Sequence, residues 1–200
     1  MRNETQRLEL ISYIEKASVA ILGLLFILFP VFLTNLTTDY FVLPKQALVV
    51  FVGIVVIVLY GVKTLLLGKV QIRRTPFDLA VILFLAAILL SSVFSTAWAD
   101  SLTNFIPLLF AGLLYFGVVY NARNEKSVMV LIASLLTGAC LLAIMPLLSH
   151  LKIYVLPYDF TKVTNFTSTG SNLDQVLYLL FVLPVSFYFL APFVLKKQLN

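Results

Sequence analysis

Hydrophobic positions along this chain neither alternate with polar ones nor confine themselves to one helical face. They come in long, nearly unbroken runs. About 20 apolar residues in a helix span about 30 Å of hydrocarbon, and six runs reach that length, at about 17–38, 46–67, 78–98, 102–121, 127–149 and 173–195. A strand of a membrane barrel would alternate over about ten positions. Residues 81–90, VILFLAAILL, do not alternate. Helices are the other way to satisfy every backbone polar group in lipid. The pattern therefore predicts an all-α fold, a multi-pass transmembrane helical bundle of six spans. Residues 1–16 form a cytoplasmic or interfacial N-terminal segment. Residues 17–200 form the membrane domain, with an external loop at 150–172.

The interruptions carry structural signals. In TTDYFVLPKQ (residues 37–46), Asp39 and Pro44 are expected to turn the chain at the tip of an external hairpin. Tyr40 and Phe41 then sit at headgroup level, as Trp98 does at the outer end of the third helix. Thr75-Pro76-Phe77-Asp78 and Ser171-Asn172-Leu173-Asp174 read as helix starts, with a hydroxyl at the cap and an acid three residues on. Leu8, Ile11 and Ile14 recur at helical spacing among charges, so 5–16 reads as either a short helix on the inner leaflet or a charged lead into the first span. Ala87, Ser91 and Ser95 in the third span, and Ser134, Gly138, Ala139 and Ala143 in the fifth, are small residues that let helices approach closely.

Composition sharpens this picture. Apolar residues make up 61% of the 200 positions and charged ones 12%, about half the share usual in soluble domains. The net charge of +5 matters through its placement. Eleven of the fourteen lysines and arginines fall in the N-terminal segment, the second connection (counting Lys63 at the end of the second run), the fourth connection and the tail. Among them are the topology anchors Lys69, Arg73, Arg74, Arg123, Lys126, Lys196 and Lys197. The alternate connections hold only Lys45, Lys152 and Lys162. Basic residues stay on the cytoplasmic side, so both termini are expected there. No basic patch lies on a soluble face, and no nucleic-acid partner is expected. The expected partners are membrane lipids and further helices of the same or another chain.

Catalytic patterns are missing: the sequence has no G-x-x-x-x-G-K-[ST], H-E-x-x-H or G-x-S-x-G. One cysteine, Cys140, and one histidine, His150, give no metal-ligand cluster and no internal disulfide. No catalytic residue, metal or cofactor is identified. The centres of the spans hold no charge, which counts against an ion pathway. The polar feature of greatest length is KIYVLPYDFTKVTNFTSTGSN at 152–172. Its Tyr154, Tyr158, Phe160 and Phe166, with Asp159, Asn165 and several threonines, suit a carbohydrate ligand; they suit a loop resting against headgroups better.

Three stretches together resemble a known family. TTDYFVLPKQAL at 37–48, the basic connection and helix KVQIRRTPFDLAVILFLAAILLSSVFS at 69–95, and NFTSTGSNLDQVLYLLFVLPVSF at 165–187 resemble the N-terminal half of bacterial O-antigen ligase and polymerase-like membrane proteins. The resemblance implies a place in the bacterial cytoplasmic membrane and action on undecaprenyl-diphosphate-linked glycans at its outer face. It also implies that activity needs a C-terminal half, whose arginine and histidine landmarks match no position here. GSNLDQ at 170–175 departs from the more usual Asn-Pro-Asn-like turn. On this reading Asp39 and Lys45 line the outer side of the substrate site. Tyr158, Asp159 and Asn165 face it from the loop, and Asn172, Asp174 and Gln175 stand at the mouth of the sixth helix. The alternatives are a small transporter or permease subunit, and a non-catalytic membrane scaffold.

Overall fold

A computed structural model describes residues 2–70 and 73–198, with side chains over 6–70 and 73–191. The described residues form six α-helices and no strand: α1 (Arg2–Leu28), α2 (Val42–Leu67), α3 (Asp78–Val93), α4 (Trp98–Asn121), α5 (Glu125–His150) and α6 (Asn172–Gln198), with a 3-10 turn at Asp159–Thr161. Five of them are long and apolar enough to cross a membrane, namely Gln6–Leu28, Val42–Leu67, Trp98–Asn121, Glu125–His150 and Asn172–Ala191. Large apolar side chains stand open along them, Leu65 at 84% and Phe181 at 83% exposure. Water would not tolerate so much continuous apolar surface.

Element boundaries differ from the sequence expectations at three places. The first run was expected to span 17–38, but its helix ends at Leu28 and starts back at Arg2. The N-terminal segment is thus continuous with the first long helix rather than a separate interfacial element. Pro30 explains the early end: it cannot donate to the helical ladder and disfavours helix in the residue before it. Pro44 does not turn the chain, because α2 begins at Val42 and places Pro44 in its first turn. There its missing N–H leaves nothing unsatisfied.

The third difference is at α3, which has 16 residues, or about 24 Å at 1.5 Å per residue. That is short of the hydrocarbon thickness. Its expected last five residues break away because Ser95 Oγ accepts hydrogen bonds from the Ala97 N–H (3.3 Å) and the Ser101 hydroxyl (3.0 Å). Trp98 accordingly opens α4 rather than closing α3. Pro107 and Pro146 lie inside helices that continue through them.

The chain divides into two compact units, Met1–Leu22 with Gln46–Val128, and Gly23–Lys45 with Met129–Asn200. In the first, α3 packs on α4. Glycine makes room within it: a Cβ at Gly117 would stand 2.8 Å from the Val56 side chain of α2. Ser92 is the buried residue of α3, while Ala87 and Ser91 are exposed and make no helix contact of the expected kind. In the second unit the expected small stripe on α5 does meet a neighbour. A Cβ at Gly138 would collide with the Phe26 carbonyl oxygen and stand 3.1 Å from Pro30.

Candidate functional site

In the second unit the chain between α1 and α2 folds back around one carboxylate. Asp39 Oδ1 accepts the Phe41 N–H at 2.8 Å and the Val42 N–H at 3.0 Å. The first turn of α2 thereby gains acceptors for donors that a helix start leaves unpaired. The Val42 and Phe41 N–H groups hold the Asp39 carboxyl below its ordinary range, and the charge of Lys45 adds to this. Lys45 sits one turn into α2 and is half-buried. Its Nζ donates to the Ser168 carbonyl at 2.6 Å and the Phe41 carbonyl at 3.1 Å.

Ser168 locks the same junction from the other side. It is fully buried, and its hydroxyl donates to the Pro30 carbonyl at 2.7 Å. Two residues on, Gly170 has φ +81° and lies against the Phe41 ring, 2.8 Å from where a Cβ would stand. An L side chain is excluded there both by backbone conformation and by space. Segment 34–45 and loop 151–171 are therefore tied through Lys45, Ser168 and Gly170.

On this base stands a ladder of three aromatic rings. Tyr40 stacks on Phe160 at 4.6 Å with 17° between planes, and Phe160 stacks on Tyr158 at 5.4 Å and 9°. Phe41 braces Phe160 edge-on at 6.0 Å. The loop backbone is fixed from below: the Thr161 hydroxyl donates to the Tyr158 carbonyl at 2.6 Å, and Ser149 Oγ accepts the Phe166 N–H at 2.9 Å. Asp159 projects to the outside, its side chain 96% exposed and paired with Lys162 at 2.7 Å. The Lys162 hydrogen bond and charge keep the Asp159 carboxyl low.

Of the residues expected near a substrate, Asp39, Lys45, Tyr158 and Asp159 gather in this cluster. Lys45 is held by two carbonyls and acts as a tie. Asn165 is exposed at φ +63°. Asn172 and Asp174 are exposed on the first turn of α6, where Ser171 Oγ accepts the Leu173 N–H at 3.2 Å. Gln175 does not stand at a mouth. It is buried, and its amide donates to the Leu142 carbonyl of α5 at 3.3 Å. Ser168 and Gly170 carry no distinct sequence signal, because TSTGSN reads simply as turn composition.

In the first unit, the late part of α2, the start of α3 and the late part of α4 line a half-open cavity of about 780 Å³. Its polar lining comes from Tyr60, Arg74, Thr75, Asp78, Tyr120 and Asn121. Val56, Ile57, Ile82, Leu113 and Phe116 are among its apolar walls. The acid is fully engaged: Asp78 Oδ2 accepts the Thr75 N–H at 2.8 Å, and Oδ1 accepts the Thr75 hydroxyl at 2.5 Å and the Tyr115 hydroxyl at 3.0 Å. This is half of the expected capping box, because Thr75 gives its hydroxyl to the acid instead of capping a helix N–H.

The residues expected to anchor topology divide into two kinds. Lys69, Arg74 and Lys126 are exposed. Arg73 instead donates to the Ala122 carbonyl at the end of α4 (3.2 Å), and Arg123 donates to Tyr120 and approaches Glu15 at 3.9 Å. Lys196 and Lys197 lie outside the described side chains. Lys63, grouped by sequence with the loop cations, is 3% exposed and paired with Glu15 of α1 at 2.7 Å.

No protein-family model, curated protein or solved structure matches this chain.

Proposed function

We propose that this multi-pass helical protein handles a lipid-linked glycan, with the ladder of Tyr40, Phe160 and Tyr158 as its sugar-facing surface. The proposal carries forward the resemblance to the N-terminal half of O-antigen ligase and polymerase-like proteins. It includes their implied setting, the outer face of a bacterial cytoplasmic membrane, with six spans and both termini cytoplasmic. The observation that carries it is the ladder itself. Three nearly parallel, stacked rings, with Tyr40 38% exposed, offer π surface whose negative quadrupole suits the C–H groups of a sugar ring. Asp159 and Lys162 at its rim supply an acceptor and a donor for hydroxyl groups.

Chemistry on a diphosphate carrier would need positive charge aimed at the leaving group. Lys45 has its ammonium committed to two carbonyls, so it supports the shape of the site rather than the leaving group. The proposed role of this chain is accordingly to bind and orient, with a further catalytic part supplying charge.

Titration of an undecaprenyl-diphosphate-linked oligosaccharide into the protein in lipid nanodiscs, followed by tyrosine fluorescence, tests the reading. Saturable binding weakened about tenfold in Phe160→Ala, roughly the loss expected for one aromatic contact, supports it. Equal binding of the bare carrier lipid and the glycosylated one would remove it.

A further inference from the structure

The cavity of the first unit is not used by the proposed glycan surface, and its lining is sorted by chemistry. Along α4 it runs from Leu113 to Asn121, eight residues or about 12 Å. Its polar groups come from the last turns of α2 and α4 and the start of α3. Its apolar groups, such as Val56, Ile82 and Leu113, come from positions further into those helices. A head-and-tail molecule matches that gradient.

Two features identify the head. Arg74 lines the cavity, and its guanidinium makes no hydrogen bond among the described residues. Lys69 and Arg73 flank it in the same connection, and the nearby acid, Asp78, already accepts three hydrogen bonds. An arginine in this state matches a phosphate oxygen pair. Asn121 is 9% exposed and lines the cavity. Its amide nitrogen donates to the Gly117 carbonyl at 2.8 Å, while no described donor reaches its carbonyl oxygen. That oxygen is open rather than buried, so Asn121 Oδ1 can accept a hydroxyl from the occupant. Tyr120, whose ring stacks on Tyr60 at 5.1 Å, walls the same end.

We infer that this cavity is a binding site for one anionic glycerophospholipid with a hydroxyl-bearing headgroup. Its phosphate sits on Arg74, a headgroup hydroxyl donates to Asn121, and an acyl chain runs along Val56, Ile82 and Leu113. This site is separate from generic attraction of basic loops to a charged leaflet, because it requires the cavity as well as the charge.

The test is native mass spectrometry of the purified protein titrated with phosphatidylglycerol, phosphatidylcholine or glycerol 3-phosphate. The expected result is one tightly retained phosphatidylglycerol. Its affinity falls about tenfold or more in Arg74→Gln, the range for a lost charge-assisted hydrogen bond. It falls comparably in Ile82→Trp, which fills the cavity at an exposed position without changing charge. It is unchanged in Lys126→Gln, which removes an exposed cation outside the cavity. Equal losses in Arg74→Gln and Lys126→Gln, or equal retention of phosphatidylcholine, would overturn the inference. So would binding of glycerol 3-phosphate as tight as that of the lipid, which would make this a free phosphate site.

Discussion

Lys63 Nζ lies 2.7 Å from Glu15 Oε1, with the lysine 3% and the glutamate 36% exposed. The ammonium makes no aligned hydrogen bond besides this ion pair. Removing the partner would leave this buried cation uncompensated. Glu15→Ala should therefore destabilise the protein by about 3 kcal/mol, the range for stranding one member of a buried pair. Lys63→Met should cost less, because Glu15 retains Arg123 and partial access to solvent. The double variant should recover most of the loss. Unfolding in detergent by heat or denaturant measures all three; additive losses would contradict the pairing.

Close packing of α5 on the end of α1 depends on Gly138, where an added Cβ meets the Phe26 carbonyl oxygen and the Ile27 backbone. Backbone cannot swing aside as a flexible side chain can. Gly138→Ala should lower stability by about 1–3 kcal/mol. Gly61 is the control, since it is helical and an added Cβ meets nothing within 4 Å. Gly61→Ala should be neutral or gain up to about 1 kcal/mol from helix propensity. Equal effects at the two positions would contradict the packing.

The cap at Asp39 predicts a pH dependence. Its folded pKa lies below the ordinary value because the charged form accepts the Val42 and Phe41 N–H groups. Its contribution is therefore complete above the unfolded pKa of about 4 and is lost as pH falls through the lowered folded value. Asp39→Ala should melt below the parent at pH 7, and the gap should narrow below pH 4. A gap that persists unchanged at the lowest accessible pH would rule out the carboxylate as its source.

Long apolar runs made the helices legible, because a span in lipid has no alternative to internal hydrogen bonding. Their ends were less legible. Pro30 and Ser95 stop α1 and α3 earlier than hydrophobicity alone suggests, and Pro44 suits a turn and a helix start equally well. Tyr40, Phe160 and Tyr158 were each visible as aromatic loop residues. Their stacking was not, since it depends on Ser168 and Gly170, more than 120 positions from Tyr40, closing the loop onto Phe41 and Lys45. The burial of Lys63 and of Gln175 is not legible either, because a partner such as Glu15 or the Leu142 carbonyl has no local signature. The cavity lined by Arg74 and Asn121 arises from three helices and belongs to no single stretch.

The ladder of Tyr40, Phe160 and Tyr158 is proposed to face a lipid-linked glycan. Photo-crosslinking with an undecaprenyl-diphosphate glycan carrying the reactive group on its sugar, followed by peptide mapping, tests it most directly. The expected result is label on residues 37–45 and 154–166, competed by the unmodified glycan lipid and lost in Phe160→Ala. Label confined to other segments, or label that the unmodified lipid does not compete away, would contradict it.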